Sequence, residues 1–123
     1  MKKKILIIED EPLIRRSLKK LLEIKYSAEV VLVDNGKEAI EILLSQNFDS
    51  VICDIMLSDI TGFEVIESIK IKYDLEKIKS KFVFITAYVS DKVLQKASQY
   101  GIDIYNKPIK DMNSFLERVV TND

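Results

Sequence analysis

Asp54 closes the apolar run Val51-Ile52-Cys53, and Glu9 and Asp10 close another, Ile5-Leu6-Ile7-Ile8. Runs this short and this apolar read as strands buried on both faces, the habit of parallel sheets. Ligands of open parallel sheets bind just beyond the carboxyl ends of the strands, so these three acids are expected to meet in one crevice. Three such charges repel, and one takes up a proton unless a cation joins them. The pattern points to a divalent metal, and oxygen-only ligands favour Mg2+. Two more groups fall at strand ends: Thr86, between Ile85 and Ala87, and Lys107, before Pro108. Phosphoryl transfer uses such a set: a nucleophilic carboxylate, a metal to neutralise the phosphoryl oxygens, and donors for the rest. Thr86 alone is an ordinary strand threonine and Lys107 alone a solvated lysine. The signal is that all of them close a strand.

Composition narrows the chemistry further. The chain has no histidine, which excludes Ser-His-Asp and Cys-His catalysis, His-ligated zinc and a phosphohistidine formed on this chain. The single cysteine, Cys53, sits inside an apolar run and reads as a core residue; one cysteine makes no intramolecular disulfide and fits a reducing cytosol. Net charge is −1, so no basic field points toward nucleic acid and none is expected as a direct partner. No apolar stretch approaches the ~20 residues of a membrane span. The apolar stretch behind Met1-Lys2-Lys3-Lys4 is too short for a signal peptide. A cytoplasmic location without membrane contact is the expectation.

The elements that must position these residues follow from periodicity. Candidate strands cover 4–9, 28–33, 50–54, 81–86 and 102–106, and helical stripes fall between them. The stripes are Ile14, Leu18, Leu21 and Leu22; Ala39, Ile40, Leu43 and Leu44; Phe63, Ile66, Ile69 and Tyr73; then Val93, Ala97 and Tyr100. A fifth comprises Met112, Phe115, Leu116, Val119 and Val120. Pro12 suits a helix's first turn, Asp34 a cap or turn, Asn35-Gly36 a loop and Gly101 a helix end. The pattern is (βα)5, an α/β sheet covered by helices on both faces through right-handed crossovers. At 123 residues the expectation is a single domain, 1–123, able to bury one core. Any output domain is expected to lie outside this chain, which ends shortly after Val120.

Six segments in order carry a family resemblance: Ile-Ile-Glu-Asp-Glu-Pro (7–12), Asp-Asn-Gly-Lys-Glu-Ala (34–39), Val-Ile-Cys-Asp-Ile-Met-Leu (51–57), Gly-Phe-Glu (62–64), Ile-Thr-Ala (85–87) and Lys-Pro (107–108). Across essentially its full length the chain resembles a response-regulator receiver domain of two-component signalling, similar to the chemotaxis regulators. The resemblance implies a flavodoxin-like, doubly wound five-stranded parallel sheet of order 2-1-3-4-5. It implies a signalling domain rather than an enzyme, in which Asp54 accepts a phosphoryl group from the phosphohistidine of a sensor histidine kinase or histidine phosphotransfer protein. Asp10, Asp54 and the Met56 backbone carbonyl would bind Mg2+ directly, and Glu9 through water. Thr86 and Lys107 would contact phosphoryl oxygens, the Lys107–Pro108 peptide would be cis, and Met56 and Tyr88 would flank the path of hydrolytic water. The domain would act as a monomer or a phosphorylation-dependent homodimer, with an unknown target.

Two departures stand out. Ser58 occupies a position where the family usually has proline. Ile104 occupies the position of the usual aromatic switch, with Tyr105 one step nearer Lys107. Either Ile104 is the switch and no aromatic toggle exists, or a bulge brings Tyr105 round. Two other functions compete. A phosphatase of the haloacid-dehalogenase type needs a second Asp two residues after the nucleophile, where Met56 stands and cannot transfer a proton. A phosphate-independent scaffold of the same fold usually lacks one of the acids or the lysine, all of which are present here.

Overall fold

The computed structural model describes residues 2–121. Met1 and the closing Asn122-Asp123, with the expectations attached to them, lie outside the described residues. The elements run β1 (Lys4–Ile8), α1 (Pro12–Tyr26), β2 (Glu29–Val33), α2 (Gly36–Ser45), β3 (Ser50–Asp54), α3 (Gly62–Ile69), α4 (Leu75–Lys81), β4 (Phe82–Thr86), α5 (Asp91–Tyr100), β5 (Asp103–Asn106) and α6 (Met112–Thr121). Five parallel strands lie in the order β2-β1-β3-β4-β5. This is the flavodoxin-like topology that the resemblance implied.

Strand alternation sorts the core into two layers. Ile5, Ile7, Ile52, Val83 and Ile85 face Leu18 and Leu22 of α1 and Phe115, Leu116 and Val119 of α6. Leu6, Ile8, Val51, Cys53, Phe82 and Phe84 face Leu43 of α2, Ile66 of α3, Ile78 of α4 and Ala97 of α5. The central strands β3 and β4 are buried along their whole length, which is why they read as unbroken apolar runs rather than alternating ones.

Helix α4 corrects the five-helix pattern. It is one of six among the described residues and was missed because it is short and has one buried residue, Ile78, so no apolar stripe advertises it. Its start is set by Asp74, whose side chain accepts from the Lys77 N–H. Tyr73 consequently falls beyond the end of α3, where its hydroxyl donates to the carbonyl of Leu43, 3.1 Å away. The expected capping role of Asp34 belongs to its neighbour: Asn35 caps α2 by accepting from the Glu38 N–H at 2.8 Å, and Gly36 is the first helical residue rather than part of a loop. Pro12 stands in the first turn of α1, and Gly101 ends α5 in the left-handed conformation.

Candidate phosphoryl-acceptor site

The carboxyl ends of β1 and β3, adjacent in the sheet, bring Glu9, Asp10 and Asp54 together. One carboxylate oxygen of each lies within 4.8 Å of the other two. Glu9 is fully buried and Asp54 is 3% exposed, whereas Asp10 stands at the rim. The cluster opens into a cavity of about 760 Å³ whose lining includes Asp10, Asp54, Met56, Tyr88 and Lys107.

Lysine 107 reaches the cluster from the loop after β5. Its Nζ donates to Glu9 Oε1 at 2.9 Å and to Asp54 Oδ2 at 3.0 Å, and lies 3.5 Å from Glu11 Oε1. The Lys107–Pro108 peptide is cis, and the Lys107 N–H donates to the Thr86 carbonyl at 2.8 Å. The second oxygen of Asp54 accepts from the Met56 N–H at 3.1 Å, and the second oxygen of Glu9 from the Glu11 N–H at 3.2 Å. Every carboxylate oxygen of the buried pair therefore has a partner, as burial demands.

One ammonium group between two buried carboxylates leaves the set short of positive charge. Burial raises the pKa of Glu9, the Lys107 bond opposes that, and the nearby Asp54 raises it further, to about 7. Burial lowers the pKa of Lys107, but its bonds to Glu9 and Asp54 outweigh that and hold it above the ordinary lysine value, charged throughout the physiological range. Burial pushes the Cys53 thiol up, with Asp54 and Glu9 adding to the effect, so Cys53 is a core residue with no reactive thiolate.

Thr86 is buried at the end of β4. Its Oγ1 accepts from the Tyr88 N–H at 3.2 Å and lies 3.4 Å from the Tyr88 carbonyl, so the hydroxyl is folded against the start of the next loop. Met56 and Tyr88 are 54% and 74% exposed on the cavity wall.

The two candidate switch residues part company. β5 pairs with β4 without interruption, Phe84 opposite Ile104, Ile85 opposite Tyr105 and Thr86 opposite Asn106. No bulge turns Tyr105. It packs edge-on against Phe115 with ring centres 4.8 Å apart, in the layer under α6. Ile104 lies in the opposite layer, with Phe84 and Phe63.

Sequence reasoning missed Glu11 as a neighbour of Lys107, and Asp59. The Asp59 carboxylate accepts from the N–H groups of Gly36 and Lys37 at 2.8 and 2.9 Å. An aspartate in a loop carries no local sign of bonding to a helix more than twenty residues away.

Comparison with known proteins agrees with this fold. Residues 5–119 match the family described as "Response regulator receiver domain". The transcriptional regulatory protein CrdR of Helicobacter pylori is 31% identical over 119 residues, 97% of this chain and 54% of its own length. A cyclic di-GMP phosphodiesterase of Thermotoga maritima is 33% identical over 85% of this chain, which covers 27% of that protein. The chain thus spans about half, or less, of these curated relatives. Among solved structures, the non-phosphorylated HemR receiver domain from Leptospira biflexa superposes with a TM-score of 0.80 at 28% identity, covering 98% of this chain and 94% of the other. The chemotaxis response regulator CheY4 of Vibrio cholerae shares the fold, with a TM-score of 0.81 at 24% identity over 97% and 99% of the two chains.

Proposed function

This chain belongs to the response regulator receiver domains, and from that premise we propose that Asp54 accepts a phosphoryl group from the phosphohistidine of a sensor histidine kinase or histidine phosphotransfer protein. The observation that carries this is the buried Asp54 carboxylate, held by Lys107 and Met56 at the wall of an open cavity. Its fixed position makes it the nucleophile of the set: the incoming phosphorus gains a bond to an Asp54 oxygen as the bond to the donor nitrogen breaks.

The donor set fits Mg2+. Three carboxylates with clustered oxygens, and no nitrogen or sulfur ligand among them, suit a small hard cation. The raised pKa of Glu9 marks unmet negative charge that a cation would neutralise. Asp10, Asp54 and the Met56 carbonyl would hold it directly, and Glu9 through water. When bound, the ion supplies charge neutralisation at the transferring phosphoryl oxygens.

The remaining work falls to side chains. Lys107 is charged and within reach of Asp54, so it can follow a phosphoryl oxygen as charge develops there. Thr86 would donate its hydroxyl to another oxygen, which requires it to leave the Tyr88 backbone. The same reading makes this chain a cytoplasmic partner of the phosphoryl donor; among the described residues no helix is long and apolar enough to cross a membrane. The curated relatives named above carry further chain beyond the matched segment.

The test is direct. Incubation with Mg2+ and acetyl phosphate, followed by intact-mass measurement, should add one phosphoryl group to the parent and none to Asp54→Asn. Labelling of Asp54→Asn to the same extent would place the acceptor elsewhere.

A further inference from the structure

The loop that follows Asp54 is tied down at its tip. The Gly62 N–H donates to the Ile55 carbonyl at 2.8 Å, and Met56 and Thr61 form an isolated antiparallel bridge. Residues 55–62 therefore make a closed hairpin-like loop, with Met56 on the limb next to Asp54 and Asp59 near the turn. The Asp59 side chain also reaches out of the loop to α2. Its Oδ1 accepts from the Gly36 N–H at 2.8 Å and its Oδ2 from the Lys37 N–H at 2.9 Å. These belong to the first turn of α2, where backbone N–H groups have no partner within the helix.

Three further observations make this contact a fastening rather than a chance surface bond. Gly36 lies so close under the loop that a β-carbon there would stand 2.4 Å from Ile60 Cγ1, so the approach depends on the absence of a side chain. Helix α2 is itself held at its far end, where Lys72 Nζ donates to the carbonyls of Leu43 and Gln46 at 2.8 and 2.9 Å. Desolvation raises the Asp59 pKa, but the backbone N–H groups of Gly36, Lys37 and Ile60 outweigh it and leave the carboxyl below its ordinary value, ionised at neutral pH. The chain at Ser58 has none of the φ restriction that a proline would impose. The base of the loop is closed by the Gly62–Ile55 bond and the Met56–Thr61 bridge, and its tip is held by the Asp59 carboxylate.

We propose that Asp59 is a positioning residue for the chemistry at Asp54: by tying the loop tip to the N-terminus of α2, it fixes the Met56 backbone relative to the Asp54 carboxylate. The Met56 N–H already holds Asp54 Oδ1 at 3.1 Å, and its carbonyl is one of the proposed cation donors. The inference rests on the reading given under Proposed function. A carboxylate that only capped α2 would stabilise the helix and leave the site indifferent to its loss.

Calorimetric Mg2+ titration of the full chain, with melting temperature in parallel, separates these roles. Asp59→Ala is expected to weaken Mg2+ binding about tenfold, the lower end of what outer partners of metal ligands contribute. Lys72→Met releases the other end of α2; it should lower the melting temperature comparably yet keep the parent's Mg2+ affinity. Adding Ser58→Pro to Asp59→Ala, which stiffens the loop by another route, should restore affinity toward the parent value. If Asp59→Ala folds poorly, Asp59→Asn keeps one acceptor and should shift affinity less, in the same direction. Unchanged affinity in both Asp59 variants, an equal loss in Lys72→Met, or no recovery with Ser58→Pro overturns the positioning role. A parent chain that binds no Mg2+ overturns the functional reading itself, and this inference with it.

Discussion

Lys107 Nζ stands 3.0 Å from Asp54 Oδ2, bridging fifty-three residues of sequence. The same ammonium bonds Glu9, so a single cation answers two buried carboxylates. Lys107→Met should therefore cost about 3 kcal/mol of metal-free stability at pH 7.5, the low end for breaking a buried ion pair. The loss should shrink at pH 5, where Glu9 can protonate, and on adding Mg2+. Urea denaturation under the three conditions measures it; an equal loss in all three would mean that Lys107 acts only through packing.

The folded-state pKa of Glu9, about 7, lies above the ordinary glutamate value of 4.5. The native state binds the extra proton, so the stability it contributes is fully present below pH 4.5 and is lost as pH rises through 7. The metal-free chain should lose on the order of 3 kcal/mol across that window. Glu9→Gln should flatten the dependence. A stability profile equally steep in Glu9→Gln would assign it to another group.

Mg2+ should raise the melting temperature of the parent by mass action on the folded state. Asp10→Asn should raise metal-free stability by removing repulsion and weaken the response to Mg2+. Thermal melts over a Mg2+ series report both, and a parent that shows no shift would argue against the cation site.

The acyl phosphate should be long-lived. Met56 and Tyr88 are large, line the cavity, and bring neither an acid nor an amide to orient attacking water. Met56→Asn and Tyr88→Glu should each accelerate phosphate release by severalfold, short of the roughly 100-fold or more of a fully positioned general base. Release that is unchanged or slowed in both would remove the shielding explanation.

Tyr105 should be a packing residue. Its ring meets Phe115 in the layer under α6, opposite to Ile104. Tyr105→Ala should lose about 2 kcal/mol of stability, less than a fully buried aromatic because Tyr105 is half-buried. Phosphorylation by acetyl phosphate should keep the parent rate. A variant that keeps its stability but loses phosphorylation would restore Tyr105 to the site.

The strands and the acids at their ends were legible because fully buried parallel strands leave unbroken apolar runs, so Asp54 after Val51-Ile52-Cys53 marks a strand end without any knowledge of the fold. Thr86 was legible for the same reason, whereas Lys107 follows the half-exposed β5, which leaves no such run, and was marked by the Lys-Pro pair of the resembled family. The ordered motifs supplied the strand order. Helix α4 was invisible because Ile78 alone carries its buried face. The ambiguity between Ile104 and Tyr105 could be settled only by the β4–β5 register, which places each residue on its face through pairing with Phe84 and Ile85. The charge balance of Glu9 depends on Lys107, ninety-eight residues away, and the hold on the Asp54 loop on Asp59 and α2. Local pattern records how each segment buries its own side chains. Bonds between distant segments leave no periodic trace, so only the tertiary structure decides them.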